Sequence, residues 1–397
     1  MSVRLPTALL CALAFSARAD SWTPQEGFRK VATRLQELRG LKLDDRLQLE
    51  VIPRTEWHKR VAAQPTKTNE PYAVLWRTLG IVPAGQDADE AYDEVRRRYR
   101  GYYHLSDDRL VYFTDTPAEL REPQLAHALM HAVQARHSRL FNAPPAIDGY
   151  FDDVNWARAA AKEGEAVLHE LSWPTGSLDG MRDKIEALPE RLDIEGCEPY
   201  AVRWTYHPYV AGARYLLAHA KGGLRDACDA LYLNPPVSTE QVLHPERNDP
   251  PLAVIVPDLS DRLGAGWKLA ARTVLGEWTI ADWVWALRPD TAPKPLSVEQ
   301  IGGGLPDDLR WGGDQAQVYQ DGERFLVVVW TVWDDEASAV RFRKLLGSTK
   351  SARAGPRVAV LCGPAQVHRG LLTETLRDVR TTAFRSVEQL EEILAGD

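Results

Sequence analysis

The chain lacks any apolar run of the roughly 20 residues that a membrane-spanning helix requires. It has no basic cluster, no internal repeat and no low-complexity stretch, and its formal net charge is −8 over 397 residues. An acidic surface without a basic patch argues against nucleic-acid binding. No G-x-S-x-G elbow occurs, which removes the usual serine-hydrolase signature. Gly264-Ala265-Gly266 and Gly302-Gly303-Gly304 lack the Lys-Ser/Thr of a phosphate loop and read as turns. Cysteine is scarce, four in all. Cys11 lies near the start, and the other three, Cys197, Cys228 and Cys362, are an odd number. An oxidising compartment would permit a Cys197–Cys228 bridge; three independent thiols are an equal alternative.

What is present begins with a targeting pattern. Arg4, the apolar stretch Leu5 to Phe15 and Ala17-Arg18-Ala19 have the form of a cleaved signal peptide over residues 1–19. The expectation is a secreted or periplasmic protein; Leu10 before Cys11 is too bulky for a lipid-anchor site. Loss of Arg4 and Arg18 would move the charge from −8 to −10. The rest has the composition of a soluble globular protein, with 44% hydrophobic and 26% charged residues. The thirteen tryptophans read mainly as core.

Apolar spacing predicts helices from Trp22 to Arg39, from about Pro123 to Leu140, from Val154 to Leu171 and from Tyr209 to His219. Asn248-Asp249-Pro250-Pro251 marks an internal boundary. Beyond it, Trp267 to Leu287 reads as helix, Gly312-Gly313 as loop, and Gln315 to Tyr319, Phe325 to Thr331 and Arg357 to Leu361 as strands, with a helix over 336–346. The fold class is α+β, with a mainly helical region over 20–250 and a smaller α+β region over 251–397.

The chemistry concentrates in Leu125-Ala126-His127-Ala128-Leu129-Met130-His131. His127 and His131 are four apart on a predicted helix, so both imidazoles leave one face and could reach one zinc. Glu163 on the next helix is a candidate third ligand. By composition alone, two ordinary histidines and a surface glutamate explain these residues as well.

Three segments give the residues more weight. His127 to His137 resembles a helix of the form H-E-L-T-H-A-L-Q-D-Q-H-F, keeping His127, His131, Ala132, Gln134 and His137. Lys162-Glu163-Gly164-Glu165-Ala166 falls at a V-E-G-D-A segment. Pro235 to Glu246 matches P-P-x-S-T-E-Q-x-L-H-P-E nearly throughout. With these, Gly101-Tyr102-Tyr103, Leu275-Gly276-Glu277-Trp278 and Trp311-Gly312-Gly313-Asp314, the chain from about 40 to 345 resembles a family of bacterial and archaeal secreted or lipoprotein metallopeptidases. The resemblance implies a gluzincin-like fold, zinc on His127, His131 and Glu163, and a cleft for a peptide or protein ligand. It also exposes a departure. Where the family has glutamate after the first histidine, this chain has Ala128. That glutamate takes the proton of the metal-bound water, and loss of such a base costs about 10²–10⁴-fold in rate.

Three readings follow from this pattern. The first is a catalytically impaired metallopeptidase relative that keeps its zinc and peptide cleft. The second is an active zinc peptidase with a relocated base, Glu240 or His244. The third is a metal-free interaction protein. Glu165, about 200° around the helix from Glu163, and Glu170, two turns or about 10.5 Å further along, are poorer substitutes for the base.

Overall fold

The computed structural model describes residues 22–104, 108–138, 140, 152–247, 249–288, 296–363 and 370–396. The segment 1–19 expected to be a signal peptide, Asn248 of the expected internal boundary and the expected end of the His-pair helix beyond Ser138, Leu140 apart, lie outside the described residues.

The α+β class holds. Seventeen described helices accompany ten strands in three sheets. A small sheet joins β1 (Gln48–Ile52), β2 (Gly101–His104) and β3 (Arg109–Phe113) in the order β1-β3-β2, with β1 parallel and β2 antiparallel to β3. A two-stranded ribbon pairs β4 (Leu252–Ile255) with β10 (Arg380–Ala383). The largest sheet is antiparallel and runs β5-β6-β7-β9-β8, where β5 is Lys268–Thr273, β6 Trp311–Asp321, β7 Arg324–Trp333, β8 Lys350–Ala354 and β9 Arg357–Cys362.

Three long helices carry the site. The His-pair helix is Arg121–His137, the Glu163 helix Asp152–Ser172, and a third, Pro199–His219, has Pro208 inside it. The His-pair helix has Glu122 in its first turn and Arg136 and His137 in its last, signs that complement the helix dipole. Leu125, Leu129, Met130 and Val133 are fully buried against Val31, Leu35, Leu110 and Tyr112, which fixes the helix across the small sheet. Glycine sets the other crossing. A Cβ at Gly164 would meet the Gly212 carbonyl carbon at 2.2 Å, and one at Gly212 the Ala160 oxygen at 1.7 Å. Only residues without a side chain allow this approach.

Several sequence-level expectations are corrected. Trp267 to Leu287 is not one helix: β5 occupies its start, and the helix is Gly276–Ala286. A short apolar run cannot tell a buried strand from a helix by periodicity. Gly312 and Gly313 lie within β6 rather than a loop, and a Cβ on Gly313 would reach the Leu252 carbonyl oxygen at 2.4 Å. The Tyr209–His219 helix begins ten residues earlier, at Pro199. Cys197 and Cys228 are free thiols, so the candidate bridge does not form. The two sides of residue 250 share a core: Leu75, Leu79 and Ile81 pack with Leu275, Ile280, Trp283, Trp311 and Trp333. Trp278, Trp283, Trp311, Trp330 and Trp333 are fully buried, as core residues.

Candidate metal centre

The three sequence-predicted ligands converge. His127 Nε2 and His131 Nε2 are 3.3 Å apart, and each lies 3.4 Å from Glu163 Oε2. Two atoms that each sit 2.0–2.1 Å from a metal at the tetrahedral angle are themselves about 3.3–3.4 Å apart. The triangle therefore has the edge length of one tetrahedral face around zinc. Glu163 Oε2 is buried and receives no hydrogen bond. A buried carboxylate oxygen without a donor is costly unless a cation or proton fills the gap.

Each ring is held from behind. His131 Nδ1 is 2.9 Å from Gln134 Oε1. His127 Nδ1 is 3.1 Å from Glu170 Oε2, a close charge contact that falls outside hydrogen-bond angles. Tyr209 stacks on the His127 ring, 5.5 Å between centroids and 15° between planes. Both Nδ1 atoms thus face acceptors, and both Nε2 atoms face Glu163. Burial alone would push His127 down, but Glu163 and Glu170 outweigh it and raise the ring to about 9. Burial pushes the Glu163 carboxyl up, and the two imidazoles override it and hold it well below the usual carboxylate range.

Two cavities open beside the triangle. One, of about 100 Å³, is lined by Tyr99, Gln124, His127, Ala128, Glu170 and Tyr209 among others. The second, about 280 Å³, includes Tyr102, Tyr103, Ala128, His131, Lys162 and Glu163. Ala128 is 4% exposed and faces both. β2, which contributes Gly101, Tyr102 and Tyr103, is an edge strand: among the described residues its only strand partner is β3.

Glu240 and His244, expected as tentative catalytic residues, line neither of these cavities. The Thr239 N–H and hydroxyl both donate to Asp153 Oδ1, at the start of the Glu163 helix. Ten residues separate Asp153 from Glu163, about 15 Å along the axis. His244 Nε2 instead meets Glu277 Oε1 at 2.9 Å, and Glu240 is buried 3.6 Å from Arg247. Glu240, Asp249 and Asp334 also bring ligand atoms together, as do Glu165, His169 and Cys228. In the latter group the glutamate is already committed. Arg39 Nε, Gln134 Nε2 and the Tyr232 hydroxyl all donate to it, at 2.9 Å each. A cation there would face a buried guanidinium. In the former, Arg247 and Arg310 stand beside the carboxylates.

Sequence reasoning missed Glu170 as a partner of His127. Its rise along its own helix seemed too great. The two helices run antiparallel, however, so the turn that carries His127 back from His131 meets the turns that carry Glu170 on from Glu163. Glu170 reaches the far nitrogen of the ring, not the metal-facing one, and so is placed to orient rather than to ligate or to act as base. The Tyr99, Tyr206 and Tyr209 wall had no periodic signal beyond that of ordinary core.

No known protein family, curated protein or solved structure matches the chain.

Proposed function

We propose that this protein binds a zinc ion through His127, His131 and Glu163 and holds a peptide segment in the adjoining cleft, with hydrolysis severely impaired. The observation that carries the reading is the 3.3–3.4 Å triangle of His127 Nε2, His131 Nε2 and Glu163 Oε2, the edge length of one face of a zinc tetrahedron. Two imidazoles and one carboxylate are the donor set of hydrolytic zinc sites, with the fourth position left for water. When bound, zinc would supply Lewis acidity and bring a water's pKa to about 7.

The chain's own residues would do the rest, up to one step. Glu170 and Gln134 hold the rings, Tyr209 covers the His127 face, and the edge of β2 offers backbone groups to an extended peptide. The proton-transfer position is empty of chemistry, because Ala128 presents a methyl group. Among the described carboxylates around the cavities, Glu163 is a ligand candidate, Glu170 lies behind the ring, and Asp193 is engaged by Arg98 at 3.1 Å. Tyr99 and Tyr209 are pushed well above the usual phenol range, mainly by burial, and stay protonated. Glu240 and His244, which the relocated-base reading needs, lie outside the lining of both cavities. The pattern of the first nineteen residues supports export as the setting.

Metal analysis of the purified protein tests the proposal. One zinc per chain in the wild type and none in His131→Ala is the expected result. A wild type that takes up no zinc from buffered excess would sink it in favour of a metal-free interaction protein.

A further inference from the structure

Gln134 is fully buried and all its hydrogen-bonding groups are accounted for. Its Nε2 donates to the Lys162 carbonyl at 2.8 Å and to Glu165 Oε2 at 2.9 Å. A primary amide has two N–H donors, and both are used here on groups that can only accept. Turning the amide over would set its oxygen against those two acceptors. The oxygen is therefore fixed toward His131 Nδ1, 2.9 Å away. An amide oxygen cannot donate, so Nδ1 must carry the hydrogen, and Nε2 keeps its lone pair for the centre shared with His127 and Glu163.

The lock has a further tier. Glu165 Oε1 accepts from Arg39 Nε at 2.9 Å, and its Oε2 also accepts from the Tyr232 hydroxyl at 2.9 Å. Arg39 extends to Asp229 at 3.0 Å. Arg39 and Glu165 are both fully buried. Lys162-Glu163-Gly164-Glu165 thus serves one histidine from two sides. Glu163 faces Nε2, while the Lys162 carbonyl and Glu165 hold the amide behind Nδ1. The roughly 200° between Glu163 and Glu165 around the helix, which removes Glu165 from the metal point, is what places it behind the neighbouring ring.

We propose that Gln134 is the positioning residue of His131, its amide locked by Glu165 and the Lys162 carbonyl so that it presents only an acceptor to Nδ1. The inference rests on the zinc reading above. Outer partners of this kind fix ring orientation, and their loss costs about 10–100-fold in metal affinity.

The test uses the whole chain. Ring N–H protons of ¹⁵N-labelled wild type should include a slowly exchanging His131 Nδ1–H, assigned by its absence in His131→Ala. Zinc affinity is then measured by competition with a chromophoric chelator. Gln134→Met keeps the volume but no acceptor, and should bind zinc about 10–100-fold more weakly and lose the protected ring proton. Gln134→Glu can share a proton with Glu165 while still offering an oxygen to Nδ1, and should retain both within a few-fold. A folded Gln134→Met with wild-type zinc affinity overturns the proposal. So does a wild type without the protected His131 Nδ1–H, which needs no variant to fold. A wild type that binds no zinc but shows the protected proton points to failure of the zinc reading instead.

Discussion

Two regions of this molecule bring histidine and carboxylate together, and they are arranged in opposite ways. Around His127, His131 and Glu163 two Nε2 atoms and one carboxylate oxygen converge at 3.3–3.4 Å, while both Nδ1 atoms are backed by Gln134 and Glu170. Around Glu240, His244 and Glu277 the histidine is paired to Glu277 at 2.9 Å, the Leu305 N–H donates to the same oxygen at 3.2 Å, and Arg247 and Arg310 approach the remaining carboxylates. The first arrangement sets three ligand-type atoms around one point that a single metal ion could occupy. The second is a polar junction between the motif loop and the C-terminal sheet. Residue type alone does not separate a ligand set from a structural network; the pairing of His244 with Glu277 and the arginines beside the carboxylates mark the second centre.

The sharpest way to break this contrast is by metal content. His131→Ala or Glu163→Ala should remove stoichiometric zinc, while His244→Ala and Glu240→Ala leave it unchanged. Zinc lost equally from both pairs would erase the distinction. The next effect in size concerns Ala128. The methyl faces both cavities, so Ala128→Glu projects a carboxylate into space that is already open. Peptidase activity against a mixed peptide pool should rise by about 10²–10⁴-fold over wild type with zinc present. No gain in a zinc-loaded variant would mean that the cleft has changed as well as the base.

The two ligand helices were legible because their apolar spacing is regular and the His pair obeys the i,i+4 rule. Glu163 was singled out by the resemblance of its segment to a metallopeptidase pattern, and the α+β class was legible through the shift in texture after residue 250. Other features depended on geometry that no local pattern encodes. Glu170 finds His127 only because the helices are antiparallel. Gln134 finds Glu165 only because Gly164 and Gly212 let a third helix press the Glu163 helix into place. Glu240 and His244 stood out by the resemblance of Pro235 to Glu246 to a sequence pattern, but such a resemblance does not give a segment's position in space. β5 was hidden by an apolar stretch that also suits a helix.

That glycine contact supplies the third test, smaller than the first two. Gly212→Ala sets a methyl against the Ala160 carbonyl, and the helices must separate. Overpacking of this kind costs about 1–3 kcal/mol. Thermal unfolding should show the loss, and zinc affinity should fall with it, because the displaced helix carries Glu163. Gly80→Ala is the control for a stability loss away from the site: unlike Gly212 it has positive φ, 76°, which strains alanine, and its nearest Cβ neighbour is 3.7 Å away. It should lower stability without altering zinc affinity.

The smallest expected effect comes from the second centre and concerns pH. Burial, with Glu277, Asp334 and Asp249 nearby, raises the Glu240 carboxyl from 4.5 to about 9. The folded protein therefore holds this proton over a range in which the unfolded chain has released it. Its contribution to stability is complete below pH 4.5 and is lost as pH rises toward 9. Glu240→Gln removes the titration while keeping the shape. The variant should match wild type near pH 4 and exceed it by about 1 kcal/mol at pH 8, about 1 °C in Tm for a chain of this size. The gain is modest because the buried amide needs hydrogen-bond partners of its own. Zinc content should not change. A variant less stable than wild type at pH 8 would show that Glu240 is ionised and held by Arg247. The second centre would then be an ordinary ion-pair network, and the crowding of its carboxylates would carry no cost.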